Sequence, residues 1–289
     1  MSELTELQSA DAYCRALARR HYENFTVASA ILPSSTRLHL ARIYAYCRTT
    51  DDYGDESGGD GPARLALWRA QVERAFGDPA TPIHPVLLAL RPTVREFAIP
   101  AQPFLDLIAA NEQDQTNSAY ENWAELEAYC QHSAAPVGRM VLRVFGVDDP
   151  RATALSDDVC IGLQLANFAQ DVARDGRRGR SYLLQEELRM LGPQAAVRGL
   201  CDRAEALLSS GIELETMVPG RLGIQLALYR LGGMAVVDAI RHIDYRTDRT
   251  RPHVSSRTKA RIAAAAVLAS GRDQRNAHSQ STADPARLH

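Results

Sequence analysis

The chain has 289 residues, a formal net charge of -2, 45% hydrophobic residues and 24% charged ones. That length can bury a substantial core, and the near-neutral balance excludes the global basic field that binds nucleic acid through counterion release. Five scattered cysteines, Cys14, Cys47, Cys130, Cys160 and Cys201, form neither a C-x-x-C pair nor a zinc spacing, so reduced, mostly buried thiols in a cytoplasmic protein are expected. The N-terminal stretch lacks the basic start and apolar core of a secretory signal. No apolar run reaches the roughly 18 to 20 residues of a spanning helix, so any membrane contact is expected to be peripheral.

Alanine, leucine and arginine dominate, and alternating β-branched runs bounded by hairpin turns are scarce, which predicts an all-α fold. In chain order, helices are expected over Ala10 to Arg19, Ser35 to Asp55, Pro62 to Phe76, Pro85 to Phe97 and Pro103 to Asn111. Five more are expected over Trp123 to Phe145, Ala152 to Asp175, Ala195 to Ser210, Leu222 to Tyr245 and Ser256 to Leu268. Proline or glycine punctuates most gaps, as in "GDPATPIHP" and "MVPGRLG". No linker divides the chain, so a single helical domain over residues 1–270 is expected, followed by a polar, aperiodic tail at 271–289 that reads as disordered.

The second helix ends in "RTTDDYGDE", which places Arg48, Asp51, Asp52 and Asp55 on one face. Taken alone, such a cluster reads as a solvated helix end. A second segment, "LQLANFAQDVARD", puts Gln164, Asn167, Asp171 and Asp175 in a stripe along an otherwise apolar helix. Amides and carboxylates in that setting face a polar cavity or a partner, because uncompensated burial is costly. Two D-x-x-x-D helices facing each other would offer hard oxygen ligands suited to Mg²⁺ and to the ionisation of a diphosphate. "DDYGDESGGDG" is not an EF-hand loop, since Tyr53 stands at the third loop position, and "SGGDGP" lacks the lysine of a P-loop.

These segments resemble the squalene and phytoene synthase family, the head-to-head prenyl synthases with an all-helical isoprenoid synthase fold around a central cavity. "DDYGD" resembles the first acidic motif, and "NFAQDVARD" followed by "GRSYL" resembles the second. "HYENFTVASAILP" and "YCQHSAAPVGR" are similar to segments of the bacterial hydroxysqualene-forming members of the hopanoid pathway. The resemblance spans roughly residues 10 to 260. It implies Mg²⁺-dependent ionisation of presqualene diphosphate, rearrangement, and a water quench to hydroxysqualene, with an upstream synthase and a downstream reductase as partner enzymes. No nicotinamide cofactor is expected, since no G-x-G-x-x-G follows a strand. The alternatives are condensation of two allylic prenyl diphosphates to presqualene diphosphate, squalene or phytoene on the same scaffold, and a helical binding module without catalysis.

Carried residue by residue, the resemblance makes Asp51, Asp55, Asp171 and Asp175 the catalytic metal-binding aspartates, supported by Asn167. Gly176 stands where many relatives carry a further acid. His21, Asn24, Arg48, Arg180, Tyr182 and Arg251 become diphosphate contacts, with charge balance on the acidic helix the alternative for Arg48. Tyr44, Val137, Gly138, Gln164 and Gln170 become cavity residues. For Gly138 a plain helix contact explains the small residue equally well, and Gln170 occupies a position where relatives usually carry arginine.

Overall fold

A computed structural model describes residues 3–20, 32–55, 60–77 and 84–266. Helix α1 (Glu3–Arg20) packs on α2 (Ser34–Asp55) and on α4 (Pro85–Glu96), with α3 (Gly61–Gly77) and α5 (Gln102–Gln113) completing that side. Two short helices, α6 (Trp123–Ser133) and α7 (Ala135–Val144), lead to the long α8 (Pro150–Gln170) and the single-turn extension α9 (Val172–Arg177). Helices α10 (Gln185–Leu191), α11 (Pro193–Met217) and α12 (Gly220–Arg241) follow, and residues 256–266 are again helical. The predicted all-α class holds. Residues beyond 266, where the tail was expected, lie outside the described residues.

Three expectations about the elements need correction. The helix expected over Trp123 to Phe145 breaks at Ala134 (φ -121°, ψ -51°), because Pro136 has no amide with which to continue the ladder. The helix expected over Ala152 to Asp175 breaks at Asp171 (φ -101°, ψ 15°), so the second acidic motif straddles a bend. The third difference is a two-stranded parallel pair, β1 (Ala119–Tyr120) with β2 (Ser181–Leu184), in register Ala119 to Ser181. Its small size hides it from periodicity, yet it ties the chain after α5 to the chain after α9.

Local chemistry accounts for the helix starts. The side chains of Asn122 and Asp149 accept from the amides of Glu125 and Ala152, at 3.1 and 2.8 Å, and satisfy donors that a helix N-terminus leaves open. Proline sits in the first turn of α4, α5, α7, α8 and α11, where its missing amide costs nothing.

Two apolar clusters build the interior. One joins α1 to α5 with α7 and part of α8 around Tyr46, Trp68 and Phe104. The other joins α6, the end of α8, β2 and α11 around Tyr120, Tyr129, Phe168 and Tyr182. Helix α12 is long and apolar enough by length and composition to cross a membrane, with a mean hydropathy of 1.2 over its best window. No such run was expected from the sequence. Here it packs on α8 and α11, burying Leu222, Leu226, Val237 and Ile240, as a core helix does.

The N-terminal helix is fastened by charge. Arg42 is 4% exposed, and its guanidinium makes a two-pronged bond to Asp11 at 2.8 and 2.9 Å while Nη1 donates to Thr93 at 3.2 Å. Removing one partner strands a buried cation, which costs about 3–5 kcal/mol, whereas replacing both by apolar groups is close to neutral. Asp11→Ala is therefore expected to lower the unfolding free energy measured by denaturant titration by that order, and Asp11→Ala with Arg42→Met to recover most of the loss. Equal losses in the single and double variants would show that the ion pair is not what holds α1.

Candidate active site

The last two turns of α2 carry Arg48, Asp51, Asp52 and Asp55, while the end of α8 carries Gln164 and Asn167, Asp171 sits at the bend, and α9 carries Asp175. Helices α2 and α8 both pack on α7 but not appreciably on each other, which leaves room between the two motifs. They meet through arginine. Arg178 and Arg180, just beyond Asp175, reach back to Asp55 with Nη1 to Oδ2 at 3.0 Å and Nη1 to Oδ1 at 2.8 Å. Arg180 also lies 3.9 Å from Asp114 and acts electrostatically on Asp175. One guanidinium thus faces carboxylates from three segments.

Asp51 keeps solvent access and yet is surrounded by protein atoms. That enclosure pushes its carboxyl up to about 7; the Asn111 amide opposes the rise and the charge of Asp55 adds to it. Asp175 is pushed up to about 6, first by burial and then by the charge of Asp171, against the pull of Arg174, Arg178 and Arg180. Asp171 pairs with Arg251 and lies 3.6 Å from Arg174. On α2, Arg48 pairs with Asp52 one turn on.

Cys47, Cys160 and Tyr229 share this condition of being partly accessible but enclosed. Burial pushes the Cys160 thiol up to about 12 and raises that of Cys47 as well, so both stay neutral thiols. Tyr44, Val137 and Gln164 are half-buried, and Asn167 is exposed.

Three sequence-derived roles shift. Gly138 belongs to a helix contact: a Cβ there would lie 2.4 Å from Ser156 Oγ and 2.7 Å from Cys160 Sγ, so its smallness serves the α7–α8 approach. Tyr182 is buried, stacked on Phe168 at 3.7 Å between ring centres, and its hydroxyl donates to Asp114 Oδ1 at 3.3 Å, so it supports the site from below. Gln170 is 6% exposed and spends its amide on the 251–252 segment. His21 and Asn24 lie outside the described residues.

Sequence reasoning missed a polar end to α5. Asn111 Nδ2 donates to Asp51 Oδ1 at 3.4 Å, and Gln115 Nε2 donates to the carbonyl of Gly54 at 3.1 Å. Gly54 admits them, since a Cβ there would lie 2.5 Å from Asn111 Oδ1. Asp114 accepts from the Tyr129 hydroxyl at 2.8 Å, and burial pushes it up to about 6. The one sequence signal is the spacing of Asn111, Asp114 and Gln115 at i, i+3 and i+4 on an apolar helix.

Among the described residues no three acidic, histidine or cysteine side chains converge into a ready-made metal cage. The donor chemistry nevertheless fits Mg²⁺, which keeps waters and shares its coordination with substrate phosphates. Asp51, in particular, is an enclosed carboxyl that a cation would favour in its charged form.

Residues 18–258 match the family described as squalene/phytoene synthase. The chain is 34% identical over 243 residues to the hydroxysqualene synthase of Rhodopseudomonas palustris, covering 81% of this chain and 82% of that protein. It is 34% identical over 195 residues to phytoene synthase 3, chloroplastic, of Zea mays, covering 64% of this chain but only 45% of the maize protein. Among solved structures, squalene synthase HpnC from Alicyclobacillus acidocaldarius matches with a TM-score of 0.76 at 41% identity, over 83% of this chain and 96% of that one. A dehydrosqualene synthase solved with a ligand matches with a TM-score of 0.82 at 22% identity, over 92% and 98%, a likeness of fold alone.

The raised carboxyls set a pH dependence. A carboxyl whose folded pKa lies above its unfolded value binds protons preferentially when folded, so its contribution to stability is lost as pH rises through the folded value. For Asp51 that window runs from the ordinary aspartate value of 3.8 to about 7. The thermal midpoint of Asp51→Asn, relative to the parent protein without divalent cation, is expected to climb between about pH 4 and pH 7 and to level off above that. A difference that stays flat with pH would mean that Asp51 is not an enclosed, destabilised charge.

Proposed function

Because the chain belongs to the squalene/phytoene synthase family, an enzyme family of isoprenoid biosynthesis, we propose that it is a hydroxysqualene synthase acting on presqualene diphosphate. The observation that carries the reading is the meeting of the two acidic motifs, from α2 and α8–α9, around Arg178 and Arg180, which bond Asp55 and act electrostatically on Asp175. The near full-length correspondence to the Rhodopseudomonas hydroxysqualene synthase supports this choice within the family. The phytoene synthase relatives, at similar identity over a shorter span, favour the second reading, head-to-head condensation of two allylic diphosphates.

Asp51, Asp55, Asp171 and Asp175, with Asn167, would hold magnesium, which when bound supplies charge neutralisation for a departing diphosphate. Arg178 and Arg180 are shared with Asp55, and Arg251 with Asp171. With magnesium held by those carboxylates, the guanidinium donors of Arg178, Arg180 and Arg251 would be available to bind diphosphate oxygens. Tyr44, Val137 and Leu163 offer apolar surface to the isoprenoid chain, and the neutral thiols of Cys47 and Cys160 leave the wall without a strong nucleophile.

The reaction balances without an electron donor. The carbon–oxygen bond to diphosphate breaks, water adds to the rearranged cation, and one proton is released. No hydride is consumed, so the reading needs no nicotinamide cofactor. A prenyl-condensing enzyme must supply the substrate, and a reductase must remove the hydroxyl if squalene is the end product. The apolar substrate and product would be exchanged with a bilayer surface or a partner enzyme.

Purified protein with Mg²⁺ and presqualene diphosphate, without reductant, is expected to yield hydroxysqualene by mass spectrometry, while farnesyl diphosphate alone yields no condensed product. Condensation of farnesyl or geranylgeranyl diphosphate would select the second reading. Asp51→Asn and Asp171→Asn are each expected to reduce turnover by about 10²-fold or more, the scale of losing transition-state charge stabilisation, while keeping the far-ultraviolet circular dichroism of the parent.

A further inference from the structure

We propose that Gln170 is a positioning residue whose side-chain amide clasps the Arg251–Pro252 segment over the second acidic motif and holds the Arg251 guanidinium against Asp171. The inference rests on the reading of Asp171 as part of a magnesium–diphosphate site. It assigns the role to a residue that touches neither the carboxylate pair nor the cavity wall.

The geometry is specific. Gln170 closes α8 and is 6% exposed. Its Nε2 donates to the carbonyl of Pro252 at 2.7 Å, and its Oε1 accepts from Arg251 Nη2 at 3.1 Å. The same guanidinium donates through Nε to Asp171, the next residue along from Gln170. Pro252 is buried, while the side chain of Arg251 is 40% exposed. The clasp therefore lies between a fixed carbonyl and an arginine that has solvent on its other side.

The chain reaches this place through a sharp reversal. After α12, Asp244 and Tyr245 both adopt left-handed backbone angles (φ 52° and 60°), Tyr245 N donates to Ile240 O at 3.1 Å, and Arg198 lies over the Tyr245 ring at 4.9 Å. Residues without glycine's freedom keep such angles only when their surroundings impose them. Thr247 is fully buried beyond the turn. The segment from 246 to 252 is thereby led back across the end of α8, where the amide of Gln170 secures it.

Only an amide serves both ends. It carries a donor for Pro252 O and an acceptor for Arg251 in one planar group, whereas glutamate offers only acceptors, lysine only donors, and methionine neither strong donor nor acceptor. A long exposed arginine otherwise spreads over many rotamers, and ordering it must be repaid on binding. Gln170 meets that cost in the folded protein. Because Nη2 is bonded to Gln170 and only Nε to Asp171, the hold on Arg251 would persist with Asp171 engaged by magnesium, so the benefit falls on diphosphate binding and not on bond breaking.

The test measures binding of inorganic pyrophosphate with Mg²⁺ to the full chain by calorimetry, alongside steady-state kinetics. Gln170→Met is expected to weaken pyrophosphate binding about tenfold, the scale of one hydrogen bond to a charged group, and to raise KM similarly with kcat changed less than about twofold. Gln170→Glu is expected to bind more tightly than Gln170→Lys, because it keeps the acceptor for Arg251. That order is the reverse of what added charge beside a diphosphate would give, so it reports the clasp itself. In an Arg251→Gln background, Gln170→Met should cost little more, since the two side chains act as one unit.

Unchanged pyrophosphate affinity in Gln170→Met, full additivity with Arg251→Gln, or tighter binding by the lysine variant than by the glutamate variant would overturn the inference while leaving the site reading intact. Should the methionine variant fail to fold, the glutamate and lysine pair decides alone. If the parent protein itself does not bind magnesium pyrophosphate, the site reading fails and takes this inference with it.

Discussion

Carboxylates brought close together against protein repel one another and resist losing water, and the rest of the site is arranged around that constraint. Asp55 is held by Arg178 and Arg180, Asp171 by Arg251, and Asp52 by Arg48. Asp51, which among the described residues has the Asn111 amide within hydrogen-bonding reach, and Asp175, beside Asp171, have their carboxyls raised instead, first by burial and then by the neighbouring acids. Such an arrangement fits the proposed pairing of a divalent cation with the acids and of an anion with the arginines.

The supporting structure keeps these groups in range. The β1–β2 pair joins the chain after α5 to the chain after α9, which puts Arg180 between Asp55 and Asp114. Beneath it, the stacked Phe168 and Tyr182 with Tyr120 and Tyr129 form an aromatic floor from which the Tyr129 and Tyr182 hydroxyls donate to Asp114. The bend at Asp171 turns α9 out of line with α8, and the backbone bond from Asp175 N to Asp171 O at 2.9 Å keeps the two acids one turn apart across it. The regular spacing of the motif survives the interruption of its helix.

Glycine and glutamine show how a single residue type can be read two ways. Gly54 and Gly138 both sit where a neighbouring element comes close, but Gly54 admits the Asn111 side chain that steadies Asp51, while Gly138 lets α7 lie on α8. Gln164 follows the helical stripe and is half-buried, as the periodicity predicts, whereas Gln170, six positions on, faces the returning 251–252 segment. Nothing in the local pattern separates these cases, because the neighbours that decide them lie 18 to 82 residues away in the chain.

By itself the sequence determined the helical class and the two acidic motifs, because helical periodicity and the i, i+4 spacing of Asp51 with Asp55 and Asp171 with Asp175 are local properties of the chain. It also carried the family resemblance, which lies in the same short segments. Tertiary structure alone decided which arginines meet those acids, that Asn111 and Asp114 complete the site, that Tyr182 lies in the floor, and that Gln170 holds a strap. The reason is physical: these contacts depend on a two-stranded pairing too short to read and on a left-handed reversal after α12, and both bring together residues far apart in sequence.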